Sequence, residues 1–307
     1  MIRILIIGLG SIAKKHITAL RSLSEEFEIF ALRSSLDASK YEDVINVFHL
    51  DDTVFDFAII SNPTHLHFKY IKLLASKSIP LFIEKPAVHS LDNLDEILNL
   101  VAKKKVLTYV ACNLRFHPCL KFLKEKIDNN NLLINEINVY CGSHLPDWRP
   151  ALDFKNIYSA NPKMGGGVHL DLFHEIDYVI WLFGQPKLYN SVKRSVSTLS
   201  IDSIDYANYV LEYKNFTTSI ILNYYRKKAK REIEIVFDHV TWKVDLINNS
   251  IKTDEGDVIF EVKKFDISQT YKSQLSYYID CLKVKIQPMN SFEDSIPALK
   301  ICLENEK

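Results

Sequence analysis

Ile2-Arg3-Ile4-Leu5-Ile6-Ile7-Gly8-Leu9-Gly10-Ser11-Ile12-Ala13 is the stretch on which the reading of this chain turns. Ile2–Ile7 is a nearly unbroken apolar run, the pattern of a parallel strand buried on both faces. It leads straight into G-x-G-x-x-A, and Ser11–Leu23 then carries a helical pattern. Between a strand and a helix, the three small residues have separate tasks. Gly8 permits the tight turn, Gly10 lets the backbone approach a pyrophosphate, and Ala13 lets the helix pack close to the strand. The helix start, at Ser11 and Ile12, offers free N–H groups and a positive dipole end to the phosphates. The stretch therefore predicts a dinucleotide-binding strand–turn–helix.

Working outward, strand-like and helix-like segments alternate. Phe27–Leu32, Asp56–Ile60, Leu81–Ile83 and Val106–Ala111 read as strands, and Thr64–Ser76 and Ser90–Lys103 as helices. This alternation predicts an α/β Rossmann domain, a doubly wound parallel sheet wrapped by helices. After about Asn113 the pattern changes. Ile137–Cys141, Val192–Ser197, Tyr206–Tyr213, Thr217–Tyr224 and Glu232–Phe237 read as strands with few helices between them, as in an α+β domain with a large, mostly antiparallel open sheet. One helix, from about Val168 to Phe183, interrupts them and ends at Gly184, and helices return at Tyr271–Lys283 and Ser291–Glu304. The expected division is 1–117 for the dinucleotide-binding domain and 118–290 for a substrate-binding and dimerisation domain. A C-terminal helix in 291–307 is expected to pack back on the first domain.

Composition narrows the function classes. The 307 residues exceed one ordinary core. Lys plus Arg and Asp plus Glu both number 38, so no net charge favours nucleic acid or an anionic membrane, and neither is an expected partner. The five cysteines form no C-x-x-C pair and their number is odd, which points to reduced thiols and a cytoplasmic protein. His65 and His67 stand two apart at a helix start and make no metal pair, and no metal is expected.

The end of the second strand bears on the cofactor. An NAD site usually places an acidic residue there for the ribose hydroxyls. Here stands Arg33-Ser34-Ser35, which suits a 2′-phosphate and favours NADP over NAD. In the other reading Arg33 is a solvated charge and Asp37 does the acidic work.

Four further segments carry a family resemblance. They are Ser61-Asn62-Pro63-Thr64-His65-Leu66-His67, Glu84-Lys85-Pro86, Asn113-Leu114-Arg115-Phe116-His117-Pro118, and Gly165-Gly166-Gly167-Val168-His169-Leu170-Asp171-Leu172-Phe173-His174-Glu175-Ile176-Asp177. With the glycine motif, and in this order, they resemble the Gfo/Idh/MocA oxidoreductases, a family that contains glucose–fructose oxidoreductase and inositol dehydrogenases. The resemblance implies a carbohydrate substrate, an active site between the two domains, and a homodimer or homotetramer formed through the open sheet face. It places the cofactor along Gly8, Gly10, Asn62, His67, Glu84 and Lys85, with Ser11, Ile12, Arg33, Ser34 and Asn113 completing the expected set. Leu145-Pro146-Asp147-Trp148-Arg149-Pro150 resembles a subgroup linked to bacterial surface glycans and nucleotide-sugars.

The resemblance assigns catalysis to Lys85, Asp171 and His174. Removing a hydride from a secondary alcohol requires the hydroxyl proton to leave in nearly the same step. Lys85, at the C-terminal end of a strand, suits a group that hydrogen-bonds the substrate oxygen. His174 suits the general acid/base, since imidazole titrates near neutrality. Asp171, three residues earlier on the expected helix, shares its face and orients substrate or ring. The family more often spaces this pair four apart. Trp148 and Arg149 are candidate substrate contacts, against an aromatic anchor and a structural ion pair. Arg115 is weighed equally between substrate and an ion pair. Two rival readings keep the fold: a catalytically silent, nucleotide-sensing regulator, and an enzyme that holds its cofactor through internal oxidation and re-reduction.

Overall fold

Burial on both faces accounts for the first strand: Ile4, Leu5 and Ile6 are wholly inaccessible to solvent. The structure, a computed structural model, describes residues 1–35, 37, 39–50, 53–129 and 132–304. It divides into two units, Met1–Asn113 with Ile267–Ile296, and Leu114–Asp266 with Pro297–Lys307.

The first unit holds strands β1 (Ile2–Ile7), β2 (Phe27–Leu32), β3 (Ile45–Val47), β4 (Phe57–Ile60), β5 (Leu81–Glu84) and β6 (Thr108–Ala111), and helices α1 (Ser11–Arg21), α2 (His67–Ser76) and α3 (Leu94–Lys104). The sheet runs β3-β2-β1-β4-β5-β6, and every pairing is parallel. This is the doubly wound order, whose switch point lies between β1 and β4. The short β3 was not read from the sequence, because three residues carry too little periodicity.

The second unit begins with α4 (Pro118–Asn129) and is built on β7 (Ile134–His144), β8 (Leu188–Arg194), β9 (Tyr206–Glu212), β10 (Thr217–Asn223), β11 (Tyr225–Phe237), β12 (Thr241–Asp245), β13 (Ser250–Thr253) and β14 (Val258–Glu261). Their order is β14-β13-β12-β11-β7-β10-β9-β8. Every pairing is antiparallel except the parallel β7–β10 pair. The last three strands are short and mix charged with apolar residues, so their sequence signal was weak. The helix expected over Val168–Phe183 is two helices, α5 (Val168–Asp171) and α6 (His174–Phe183). Leu172, with φ −97° and ψ 32°, ends the first.

The sequence division differs from this structure in two places. Helix α7 (Ser268–Val284) groups with the first unit, not with residues 118–290. Its buried Tyr278 lies against the rings of Phe57, Phe82 and Tyr109, at centroid distances of 5.3, 5.5 and 5.8 Å. The chain end after α8 begins (Ile296–Leu303) belongs with the second unit, not the first. The Cys302 thiol donates to the His169 carbonyl at 3.3 Å, the Tyr209 hydroxyl to the Cys302 carbonyl at 3.2 Å, and the Lys193 ammonium to the Glu304 carbonyl at 2.8 Å. Residues 305–307 of the expected tail lie outside the described residues.

Candidate functional site

In the first unit, Gly8 and Asn62, two of the residues expected to hold the dinucleotide, meet at the switch point. Gly8 follows β1 with φ +88°, and a Cβ there would stand 2.5 Å from the Asn62 Cα beyond the end of β4. Ser61 joins the same two strand ends: its hydroxyl donates to the carbonyls of Ile7 at 3.2 Å and Gly8 at 3.0 Å. Gly10 precedes α1, and a Cβ there would meet nothing within 4 Å. The first turn of α1, with Ser11 and Ile12, holds no acidic residue to compete for its N–H groups.

Asn62 follows β4 and packs against Gly8. Both polar atoms of its side-chain amide are buried with no hydrogen-bond partner among the described residues. A buried amide left unpaired costs about 1–3 kcal/mol, so a ligand's polar groups are its natural complement. The open space over Gly10, the anion-attracting helix start and the unsatisfied Asn62 amide together fit the pyrophosphate and neighbouring groups of a dinucleotide.

His67, at the start of α2, straps two loops together. Its Nε2 is 2.9 Å from the Asn62 carbonyl, and its Nδ1 is 3.2 Å from each of the Pro86 and Ala87 carbonyls. Burial pushes its pKa down from the usual imidazole value. These contacts make His67 a brace for the cradle's backbone.

Glu84 and Lys85 close β5. The Glu84 carboxylate accepts from His16 Nε2 at 2.6 Å and from the Lys85 backbone N–H at 3.2 Å. Burial works to raise the Glu84 pKa, but the His16 hydrogen bond and charge, with the Lys85 charge, outweigh it and hold it below the ordinary carboxylate value. His16, on α1, is wholly buried between the ring edges of Phe82 and Tyr271. The sequence reading missed His16. Its signal was an imidazole on the apolar stripe of Ala13, Ile17 and Leu20, where a polar group needs a partner.

Arg33 and Ser34 follow β2. Ser34 is exposed, and among the described residues the Arg33 guanidinium donates to the Ser39 carbonyl at 3.4 Å and the Asn46 side chain at 3.3 Å. Asn113 is buried and donates to the Thr270 hydroxyl of α7 at 2.7 Å.

In the second unit, Asp171 and Trp148 join one constellation, and Arg115 stands in a buried ion pair. Asp171, at the end of α5, accepts from the Tyr158 hydroxyl on one oxygen and from the Tyr224 hydroxyl on the other, the latter at 2.5 Å. Tyr224 is wholly buried, and its pKa is raised well above the phenol value by burial and by the Asp171 charge. The Trp148 ring stands edge-on to Tyr224 at 5.4 Å, and its indole N–H donates to Ser143 at 2.8 Å. Trp148 is thus anchored while its side chain remains 37% exposed. Arg149 is exposed. His174 opens α6 and is half-buried. The break at Leu172 removes the continuous helix on which Asp171 and His174 were expected to share a face.

Arg115 was weighed as a substrate contact. The structure commits its guanidinium to Asp177 at 2.9 and 2.6 Å, with both side chains buried. Glu175 is likewise committed to Arg231, at 2.6 and 3.2 Å. Neither Tyr158 nor Tyr224 lies in a motif, and only the fold brings their hydroxyls to Asp171.

Comparison with known proteins adds three findings. The Gfo/Idh/MocA family model for an oxidoreductase family with an NAD-binding Rossmann fold matches residues 2–112, and the family's C-terminal alpha/beta domain matches 124–236. Among curated proteins, an uncharacterized oxidoreductase, YrbE, of Bacillus subtilis is 25% identical over 71% of this chain and 65% of its own length. Myo-inositol 2-dehydrogenase of Thermotoga maritima is 24% identical over 60% of this chain and 55% of its own. The chain thus spans less than two thirds of these relatives. Among solved structures, the WlbA dehydrogenase of Bordetella pertussis, in complex with NADH and UDP-GlcNAcA, superposes with a TM-score of 0.80 at 17% identity, over 98% of this chain and 93% of that one. At that identity the likeness shows the fold.

Proposed function

The chain belongs to the Gfo/Idh/MocA oxidoreductase family, and from that premise we propose that it is an NAD(P)-dependent dehydrogenase or reductase acting on a CH–OH group of a sugar, polyol or nucleotide-sugar. The observation that carries the reading is the unsatisfied Asn62 amide, on a residue packed against Gly8, together with the open backbone at Gly10 at the switch point of a doubly wound sheet. A relative named for myo-inositol oxidation and a structural neighbour crystallised with a UDP-sugar support a carbohydrate substrate. The resemblance of Leu145–Pro150 to a glycan-linked subgroup supports surface-glycan biosynthesis as the setting.

A bound nicotinamide supplies the two-electron chemistry. The backbone at Gly8, Gly10, Ser11 and Ile12 and the Asn62 amide hold the dinucleotide, and His67 braces the loops on either side. Arg33 and Ser34 receive a 2′-phosphate, which favours NADP. Glu84, paired with His16, fixes the backbone that carries Lys85. Lys85 donates to the substrate oxygen and stabilises negative charge as it develops. An imidazole nitrogen of His174 takes or returns the hydroxyl proton. Asp171 fixes the polar groups around the substrate.

The presence of Lys85, Asp171 and His174 together favours an enzyme over a silent nucleotide-sensing regulator. Five buried cysteines without a disulfide support a cytoplasmic setting. Among the described residues, no helix is long and apolar enough to cross a membrane. A homodimer or homotetramer through the open sheet face completes the proposal.

Titration with NADPH and NADH, followed by nicotinamide fluorescence, tests the cradle. Tighter NADPH binding is expected, and tighter NADH binding removes the 2′-phosphate role from Arg33. A panel of sugars, polyols and nucleotide-sugars, followed by nicotinamide absorbance, tests the reaction. Failure to bind either dinucleotide overturns the reading. Cofactor that co-purifies and never exchanges points instead to internal oxidation and re-reduction.

A further inference from the structure

Asp171 has two oxygens, and a phenol is bound to each. A phenol has one proton to donate, and Tyr158 and Tyr224 both spend theirs on this carboxylate. Tyr224 is wholly buried, while Tyr158 is half-buried. With its proton aimed at Asp171, the Tyr158 oxygen retains lone pairs and becomes an acceptor of fixed direction. Carbohydrate hydroxyls are the donors that match it. We propose that Tyr158 is a specificity-determining residue whose oxygen accepts a hydrogen bond from a substrate hydroxyl, and that Asp171 acts by orienting it.

The chain holds Tyr158 in place with unusual closeness. Tyr158–Ala160 is a single 3-10 turn. A Cβ on Gly166 would stand 2.1 Å from the Tyr158 carbonyl oxygen and 2.8 Å from those of Ser159 and Asn161, so only glycine lets the two segments meet. The Gly166 N–H donates to the Asn161 carbonyl at 3.0 Å, and the Ser203 hydroxyl donates to the Ser159 carbonyl at 2.7 Å. The second glycine of the Gly165–Gly167 run therefore brings the Tyr158 turn against the segment that leads into Asp171. On the far side, Trp148 packs edge-on against Tyr224. Trp148, Tyr224, Asp171 and Tyr158 form one continuous chain, each member fixed by the next. A group fixed in this way contributes more to recognition than a mobile one, because little ordering remains to be done on binding.

This assignment revises the role of Asp171. Its carboxylate is assigned to positioning the Tyr158 phenol, and the proton exchange is assigned to His174. The inference depends on the carbohydrate dehydrogenase reading above.

Tyr158→Phe keeps the ring and removes the acceptor. With a sugar that the wild-type enzyme turns over, the expected result is a KM raised about tenfold, the size of one hydrogen bond. NAD(P)H affinity and the circular dichroism spectrum are expected to stay unchanged. A panel of monodeoxy substrates supplies a reading that a purely structural role would not move. One analogue, lacking the hydroxyl that Tyr158 accepts from, should give the same KM with wild-type and Tyr158→Phe enzyme, while the other analogues keep the tenfold difference. If Tyr158→Phe does not fold, Asp171→Asn carries the test. Its amide turns a donor toward one phenol, and the same single analogue should then lose its penalty. An unchanged KM in Tyr158→Phe, or a penalty equal across all analogues, overturns the inference while leaving the dehydrogenase reading intact. A wild-type enzyme that binds dinucleotide yet turns over no carbohydrate overturns both.

Discussion

Gly8 and Asn62 approach so closely that a Cβ on Gly8 would lie 2.5 Å from the Asn62 Cα. The contact joins the ends of β1 and β4 at the place where the strand order of the sheet reverses. It sets the floor of the proposed dinucleotide cradle, and it ties the glycine motif to a residue distant in sequence.

Gly8→Ala is expected to fail twice. Alanine at φ +88° is strained by about 1–3 kcal/mol, and its methyl group must push Asn62 aside. A lowered melting temperature and a weakened NAD(P)H dissociation constant are the expected readings. Wild-type affinity in a folded Gly8→Ala protein would separate the contact from the cradle.

His16→Leu removes the partner of a buried carboxylate. Breaking such a pair from one side costs about 3–5 kcal/mol, whereas replacing both members costs much less. Chemical denaturation should therefore show His16→Leu less stable than the double variant His16→Leu/Glu84→Leu. The Glu84 pKa is held below its usual value, so the pair's stabilisation is present above pH 4.5 and is lost as pH falls through the lower folded value.

His117 caps α4 and sets a second pH dependence. Its Nδ1 accepts the Cys119 N–H at 3.2 Å, its Nε2 lies 3.1 Å from the Asn249 side-chain oxygen, and burial lowers its pKa from 6.5 to about 4. Between those values the unfolded chain binds a proton that the folded chain refuses, so stability falls as pH falls. The whole interval amounts to about 3 kcal/mol at 1.36 kcal/mol per unit. His117→Asn keeps a side chain able to cap the helix and does not titrate. Its unfolding free energy should therefore vary less between pH 6.5 and 4 than that of the wild type.

Arg115→Met is expected to destabilise the second unit by about 3–5 kcal/mol, by leaving Asp177 buried and unpaired. Arg115→Met/Asp177→Leu should recover much of the loss. In the double variant the KM for substrate should match wild type, and a raised KM would return Arg115 to the substrate contacts.

Lys85→Met tests the proposed chemistry directly. Loss of a charge-stabilising donor is expected to lower kcat by about 10²–10³-fold, with NAD(P)H still bound. Retained kcat would remove Lys85 from the mechanism.

Much of this protein is legible along the chain because its signals are local. A hexapeptide apolar but for Arg3 before G-x-G-x-x-A implies a buried parallel strand, a tight turn and a helix start, and the alternation that follows implies the doubly wound sheet. The change after Asn113 announces the antiparallel sheet by strand periodicity alone. Asn62, Lys85, Asp171 and His174 could be named as candidates because they lie in the short ordered motifs that carry the family resemblance.

What only the tertiary structure decided is pairing between distant residues. Nothing near Arg115 reveals that Asp177 occupies it, and nothing near Asp171 reveals Tyr158 and Tyr224. Helix α7 carries no mark assigning it to the first sheet, where its Tyr278 completes a ring cluster, and Cys302 and Glu304 give no hint of their bonds to the second unit. The physical reason is the same in each case. Periodicity and turn chemistry act over a few neighbouring residues, whereas the partner of a buried polar group is set by which segments the collapsed chain brings within hydrogen-bonding distance.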